Sequence, residues 1–254
     1  MTASLAQRLA GLGLHAVAGA LDDLVAKATQ KRWGPVDVLS HVADLETAER
    51  ARRSVERRMK SSRLGRFKPM ADFEWNWPTR IDRAAVEAAV NLEFLPEKRN
   101  VVLVAAQGLG KTMVAQNIAH QAVQKGHTAL FITASQMLLD LCGQESARAL
   151  ERRLKHYARP TVLCIDEVGY LPYDGRNADL LFQVVSRRYE EKPLILTTNL
   201  AFGDWAQAFP NAACATALID RVVHHADIIA IEGKSYRRRD AEADANAKKP
   251  KPRK

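Results

Sequence analysis

Apolar residues recur at helical spacing over roughly the first sixty positions, and as short unbroken runs from about residue 100 onward. Leu5 and Leu9 start a short helix that Gly11 and Gly13 interrupt. Leu14, Val17, Leu21 and Leu24 then recur with a helical period, leaving Asp22, Asp23 and Lys27 for the wet side. Gly34-Pro35 opens a third helix with proline in its first turn. That helix carries Val38, Val42 and Leu45 inward and turns strongly basic from Arg50 to Lys60. These helices are too few and too polar for a large core, so they predict a small module that docks on a partner or on its own copy. Ser61 to Arg80 reads as a loop, broken by Gly65, Pro69 and Pro78 and punctuated by Phe67, Phe73, Trp75 and Trp77. Aromatics beside arginines can stack on bases or tack a linker onto a neighbouring domain, and the second reading is preferred. Ile81 to Val90 predicts a short helix leading to Leu95-Pro96-Glu97.

From Arg99 the pattern changes. Val101–Val104, Thr128–Thr133, Thr161–Glu167, Pro193–Asn199 and Ala226–Glu232 are apolar, largely β-branched runs, as expected of strands buried on both faces. Helical segments separate them: the one after the first run, one capped by Ser135, then Glu145–His156, Asn177–Glu190 and Ala212–His225. The alternation predicts a three-layer α/β fold around a five-stranded parallel sheet. The strand order stays open, including whether another strand lies between the first run and Thr161–Glu167.

Composition narrows the class. The chain has 254 residues, 47% of them hydrophobic, enough for a substantial core. No apolar run approaches the roughly 18 residues of a membrane span, and no signal-peptide pattern is present. Cys142, Cys164 and Cys214 are widely spaced and read as free thiols of a reducing compartment. The seven histidines show no ligand spacing; His224 and His225, if helical, point about 100° apart. A cytoplasmic protein is expected. The net charge of +9 is concentrated in two places: Glu49–Lys68 carries +7, Arg237–Lys254 carries +5, and the remainder carries −3. Such clusters are the footprint of a polyanion binder, although a solvated helix face and a disordered tail would look the same. The candidate DNA contacts are Arg52, Arg53, Arg57, Arg58, Lys60, Arg63, Arg66 and Lys68.

The chemistry centres on residues 105–113. Ala105-Ala106-Gln107-Gly108-Leu109-Gly110-Lys111-Thr112 fits a looser phosphate loop, with Met113 continuing into the helix. Such a loop points backbone N–H groups at an anion, at the positive end of the following helix. Lys111 would reach the β- and γ-phosphates and the Thr112 hydroxyl would hold Mg²⁺. The strict motif wants glycine at 105; if that position needed φ > 0, alanine would cost about 1–2 kcal/mol. Thr161–Glu167 supplies the matching acidic strand, in which Asp166 completes the Mg²⁺ shell and Glu167 polarises the attacking water. Asn199 ends another strand and either orients that water or caps a helix.

With these residues in place, the chain resembles the IstB-like ATP-binding helpers of insertion-sequence transposition, AAA+ proteins related to bacterial helicase loaders. The likeness runs through Ile165-Asp-Glu-Val-Gly-Tyr-Leu-Pro172, Leu181-Phe-Gln-Val-Val-Ser-Arg-Arg-Tyr189 and Leu196-Thr-Thr-Asn199. It continues in Leu218-Ile-Asp-Arg-Val-Val-His-His225 and Glu232-Gly-Lys-Ser-Tyr-Arg237. The family typically has Gly-Pro where this chain has Ala105-Ala106. The resemblance implies an AAA+ ATPase using ATP and Mg²⁺, assembling as a homo-oligomer on duplex DNA and directing a transposase of the same element in the bacterial cytoplasm. It also implies an arginine supplied by the neighbouring subunit, with Arg221 the candidate and Arg187 and Arg188 in reserve. The expected organisation is a helical module (1–66), a linker with a short helix (67–98), the ATPase domain (99–239) and a basic disordered tail (240–254). Two alternatives are a replicative helicase loader and an ATP-clamped DNA-binding module with little hydrolysis.

Overall fold

The structure is a computed structural model, and it describes residues 4–170, 173–210, 212–236, 238 and 239. Leu171, Pro172 and Arg237, which belong to the sequence motifs, and the predicted 240–254 tail lie outside the described residues. The chain divides into two compact units, residues 1–57 and 58–254.

The first unit holds α1 (Leu5–Gly11), α2 (His15–Gly19), α3 (Leu21–Lys31) and most of α4 (Pro35–Ser62). Ser4 and Gln7 form a reciprocal capping box on α1. The single helix expected from Leu14 to Leu24 is broken into α2 and α3 at Gly19–Ala20. Glu46 on α4 explains how the break is held. Its buried carboxylate accepts from the N–H groups of Ala16 (2.7 Å) and Val17 (3.1 Å), which places an anion at the positive end of α2.

The second unit is built on a six-stranded sheet. Its elements after the 3₁₀ turn Met70–Asp72 are β1 (Arg80–Ile81), α5 (Arg83–Val90), β2 (Asn100–Ala105), α6 (Lys111–Gln124), β3 (Ala129–Thr133), α7 (Ala134–Cys142), α8 (Ala147–Ala158) and β4 (Val162–Val168). There follow α9 (Gly175–Ser186), β5 (Leu194–Thr198), α10 (Trp205–Ala208), α11 (Ala212–Val223) and β6 (Ala226–Glu232). The order is β1-β6-β2-β5-β4-β3. Strands β2 to β6 are parallel, while β1 pairs antiparallel with β6. The five predicted parallel strands are therefore present, and β5 is the strand that separates the phosphate-loop strand β2 from the acidic strand β4. The sixth strand is hidden in the sequence because Arg80–Ile81 is only two residues long. Ile81 belongs to it and not to the helix predicted there; Asp82 caps α5 immediately afterwards. Likewise Thr133, not Ser135, caps α7, accepting from the Gln136 N–H at 3.2 Å.

Period-two alternation divides the sheet's residues between two layers. Val102, Leu163, Ile165, Leu194 and Leu196 join a core with Met137 and Leu141 of α7, Leu181 and Val184 of α9 and Leu218 of α11. Helices α5 and α6 lie on the sheet outside that cluster, with Val114, Ile118 and Val123 fully buried.

One buried cation ties this layer together. Arg188 is 1% exposed, and its guanidinium donates to the carbonyl oxygens of Tyr157, Ala158, Pro160, Thr161 and Pro193 at 2.6–3.3 Å. Tyr157 and Ala158 end α8, so the cation also meets the negative end of that helix. Burial pulls the Arg188 pKa down to about 9, which leaves it charged at neutral pH. Removing it would strand several buried carbonyls at once, each costing about 1–3 kcal/mol. We expect Arg188→Met to lower unfolding free energy by at least about 3 kcal/mol in urea titration. Arg188→Lys should recover less than half, since one ammonium cannot span five acceptors.

Candidate functional site

The C-terminal ends of β2, β4 and β5 converge on a cleft of about 460 Å³, the place where open parallel sheets hold ligands. After β2 the chain turns through Gly108 (φ +76°) and Gly110 (φ +89°) into α6. A side chain at either glycine would also collide: a Cβ at 108 would lie 2.1 Å from Ser235 Oγ, and one at 110 would lie 2.8 Å from Phe73 Cε2. Neither Ala105 nor Ala106 has positive φ, so alanine at the first loop position carries no backbone strain. Gly110 offers α6 no side-chain cap, leaving the helix's first turn open to an anion. The Lys111 ammonium folds back over the loop, donating to the carbonyls of Ala105 (2.6 Å) and Ala106 (2.9 Å).

At the tip of β4, Asp166 is 3% exposed. The Thr112 hydroxyl donates to its carboxylate at 3.0 and 3.2 Å, and the Thr197 hydroxyl donates to it from β5. A buried carboxylate with a hydroxyl from the phosphate-loop helix beside it is a hard oxygen donor set suited to Mg²⁺. Glu167, the next residue, is exposed to the cleft. It adopts φ +61° at the point where the β4–β5 register shifts between Ile165 and Val168. A non-glycine residue in that region costs about 1–2 kcal/mol. The register slip turns the Glu167 side chain into the cleft, and its N–H donates to Thr197 Oγ1 at 2.9 Å. Thr197 thus holds both acids, a role the sequence does not signal because threonine is common in strands. Asn199, just past β5, lines the same cleft.

The other wall has no signature in the sequence. The aromatic loop packs on α6 in the preferred manner: Asn117 donates to the Lys68 carbonyl (2.9 Å) and accepts from the Met70 N–H (3.0 Å), while Phe73 is buried against Gly110. Asp72, Phe73, Glu74, Tyr236 and Arg239 line the cleft, and so does Lys68, a candidate DNA contact by sequence. The Glu232–Arg237 run that contains Tyr236 signals a resemblance but no role.

Of the other candidates, Arg221 does not reach the cleft. Its guanidinium lies 4.3 Å from the Phe182 ring centre, beside a small cavity of about 140 Å³ that Asn100 borders at the start of β2. That end of the sheet is one strand, about 20 Å, from the phosphate loop. Arg187 pairs with Glu151 at 2.6 Å, and the two terminal nitrogens of the buried Arg188 donate to its five carbonyls. Near Arg221, Glu190, His224 and His225 bring ligand atoms within 4.8 Å of one another at an exposed position. The separation expected of adjacent helical histidines does not apply, because α11 ends at Val223.

The basic candidates divide by surroundings. On α4, Arg52 and Arg53 bond to Glu49, which they hold down to about pKa 2, and Arg52 also reaches Glu56. Arg57 meets Ser54 Oγ at 3.4 Å and Arg58 is half-buried. Lys60, Arg63 and Arg66 are exposed at and beyond the end of α4. Among the described residues no helix is long and apolar enough to cross a membrane.

Comparison with known proteins agrees with this geometry. The family model described as IstB-like ATP binding protein matches residues 7–244. A protein of insertion sequence IS5376 from Geobacillus stearothermophilus, named for ATP binding, is 35% identical over 204 residues, covering 80% of this chain and 81% of the relative. Its counterpart from insertion sequence IS21 of Pseudomonas aeruginosa is 34% identical, covering 85% and 82%. Among solved structures, DnaI superposes with a TM-score of 0.55 at 18% identity, covering 66% of this chain and 92% of DnaI, a likeness of fold. Phosphate loop, acidic strand, sheet order and family match together place the chain in the IstB-like ATP-binding family of insertion-sequence proteins.

Proposed function

We propose that this protein is an ATPase that assembles as a homo-oligomer on duplex DNA and directs the transposase of its insertion element, in the bacterial cytoplasm. The observation that carries the hydrolytic part is the paired acids, with Asp166 buried against Thr112 and Glu167 turned into the cleft. Lys111 would exchange its two carbonyl acceptors for β- and γ-phosphate oxygens. Thr112 and Asp166 would hold Mg²⁺, which neutralises charge on the phosphates. Glu167 accepts the proton of the attacking water, and Asn199 orients that water. The unstrained Ala105 and the spatial pairing of Glu167 with Thr197 favour turnover over a static clamp.

Arg221 cannot serve its own cleft, so its proposed role is in trans, stabilising charge on the γ-phosphate bound by a neighbouring copy. DNA contacts are assigned to the basic run from Arg52 to Lys68 and are directed at phosphates, hence salt-sensitive and weakly sequence-selective. In this organisation residues 1–66 form the partner-binding module, 67–98 the linker, 99–239 the ATPase and 240–254 a basic tail. The helicase-loader reading shares the ATPase core; a partner that co-purifies with the first unit separates the two.

Glu167→Gln should lower ATP hydrolysis at least 100-fold, leave nucleotide affinity within about threefold, and accumulate DNA-bound oligomers in sizing experiments. Hydrolysis at wild-type rate would remove Glu167 from the chemistry. Reversing Lys60, Arg63 and Arg66 to glutamate, sparing Lys68 in the cleft, should weaken duplex binding and reduce the salt slope by about one for each phosphate left unneutralised. Unchanged binding would take this segment out of the interface.

A further inference from the structure

Residues 232–236, with 238 and 239, fold back across the phosphate loop, and several bonds of different kinds hold them there. The Glu232 carbonyl accepts from the Thr79 N–H at 2.8 Å, and the Lys234 carbonyl accepts from the Trp77 indole N–H at 2.6 Å. The Tyr236 N–H donates to the Gly108 carbonyl at 2.8 Å, a direct bond between this segment and the loop. The Tyr236 hydroxyl donates to the Glu74 carbonyl at 2.7 Å. Arg239 forks onto the Glu74 carboxylate at 2.6 and 2.8 Å while its guanidinium lies 4.4 Å from the centre of the Trp77 ring. The bidentate pair holds the Glu74 carboxyl below the usual carboxylate range.

Glu74, Tyr236 and Arg239 all line the cleft beside Gly108. Lys111, Thr112 and the two acids mark the phosphate end, so the nucleoside end of a bound nucleotide extends past Gly108 toward this wall. We propose that the Glu74–Arg239 pair, with Tyr236, is a latch that holds the chain around Tyr236 and Arg239 over the nucleoside end and sets how long ATP stays bound. These are positioning residues: they close the wall and leave the phosphate chemistry to Lys111 and the acids. The latch rests on the ATP-binding reading of the cleft. It adds to that reading by assigning retention to one ion pair between segments 165 residues apart in sequence.

The pair is partly exposed, Arg239 at 34% and Glu74 at 55%, and exposed pairs contribute modestly. Breaking it should therefore speed release about fivefold and no more. The test uses the full chain and a fluorescent ATP analogue chased with unlabelled ATP. Glu74→Arg and Arg239→Glu are each expected to raise the dissociation rate about three- to fivefold, with the association rate and thermal midpoint unchanged. The double swap Glu74→Arg/Arg239→Glu should return release to within about twofold of wild type. Unchanged release in both single variants would overturn the latch, as would acceleration that the swap does not recover. A wild type that fails to bind the analogue at all would instead overturn the nucleotide reading on which the latch stands.

Discussion

The site depends on a buried carboxylate. Asp166 lies at the end of β4 with almost no solvent access, and a charge in such a place is costly unless hydrogen-bonded. The two hydroxyls that satisfy it come from different elements, Thr112 from the first turn of α6 and Thr197 from the end of β5. One side chain therefore fixes the phosphate-loop helix, the acidic strand and the strand between them in a single arrangement. This requires β5 to run between β2 and β4, parallel to both. With any other neighbour in that place, the Thr197 hydroxyl would not reach Asp166, and Glu167 would lose the acceptor for its N–H.

Strain gathers around this fixed point. Glu167 sits at φ +61° where the ladder between β4 and β5 slips, and the next turn passes through Gly169 at φ +78°. A regular strand would send Glu167 to the face opposite Asp166, into a packed layer. The slip turns it into solvent within the cleft instead. The energy stored there is offset by the Thr197 bond and by the surrounding core, and neighbouring acids acquire separate surroundings: one dry and paired, one wet and available. That division is what the proposed roles of metal ligand and proton acceptor would require of adjacent residues.

Much of this is legible in the chain because the signals are local. A strand followed by Gly-Leu-Gly-Lys-Thr, and an apolar run ending in Asp166-Glu167, each carry their chemistry within a few positions. The five parallel strands follow from length and β-branching. The order of strands is not legible, since nothing in β5 says which neighbours it has. Strand β1 escapes notice because two residues give no period, and the wall made by Phe73, Glu74, Tyr236 and Arg239 does so because its halves are far apart in sequence. The cap expected at Ser135 fails for a smaller reason. Thr133 competes for the same helix two residues earlier, and the end of β3 gives it the extended backbone that a cap needs.

The position of Arg221 points beyond one chain. Under the proposed function, Lys111 would be a cation at the phosphate end of the cleft, alongside a metal held by the oxygens of Thr112 and Asp166. Arg221 is held at the opposite edge, against Phe182, where no side-chain rotation can carry it back across about 20 Å of strand. A guanidinium stacked on an aromatic ring keeps its charge and its fork of donors while its stem is immobilised. The proposed role in trans would use that preorganisation on an anion approaching from outside, as a second copy of this chain carrying ATP in its cleft would present. On the proposed reading, coupling hydrolysis to assembly would need no moving part within the subunit, because the cleft lies at one end of the sheet's strands and Arg221 of α11 near the other.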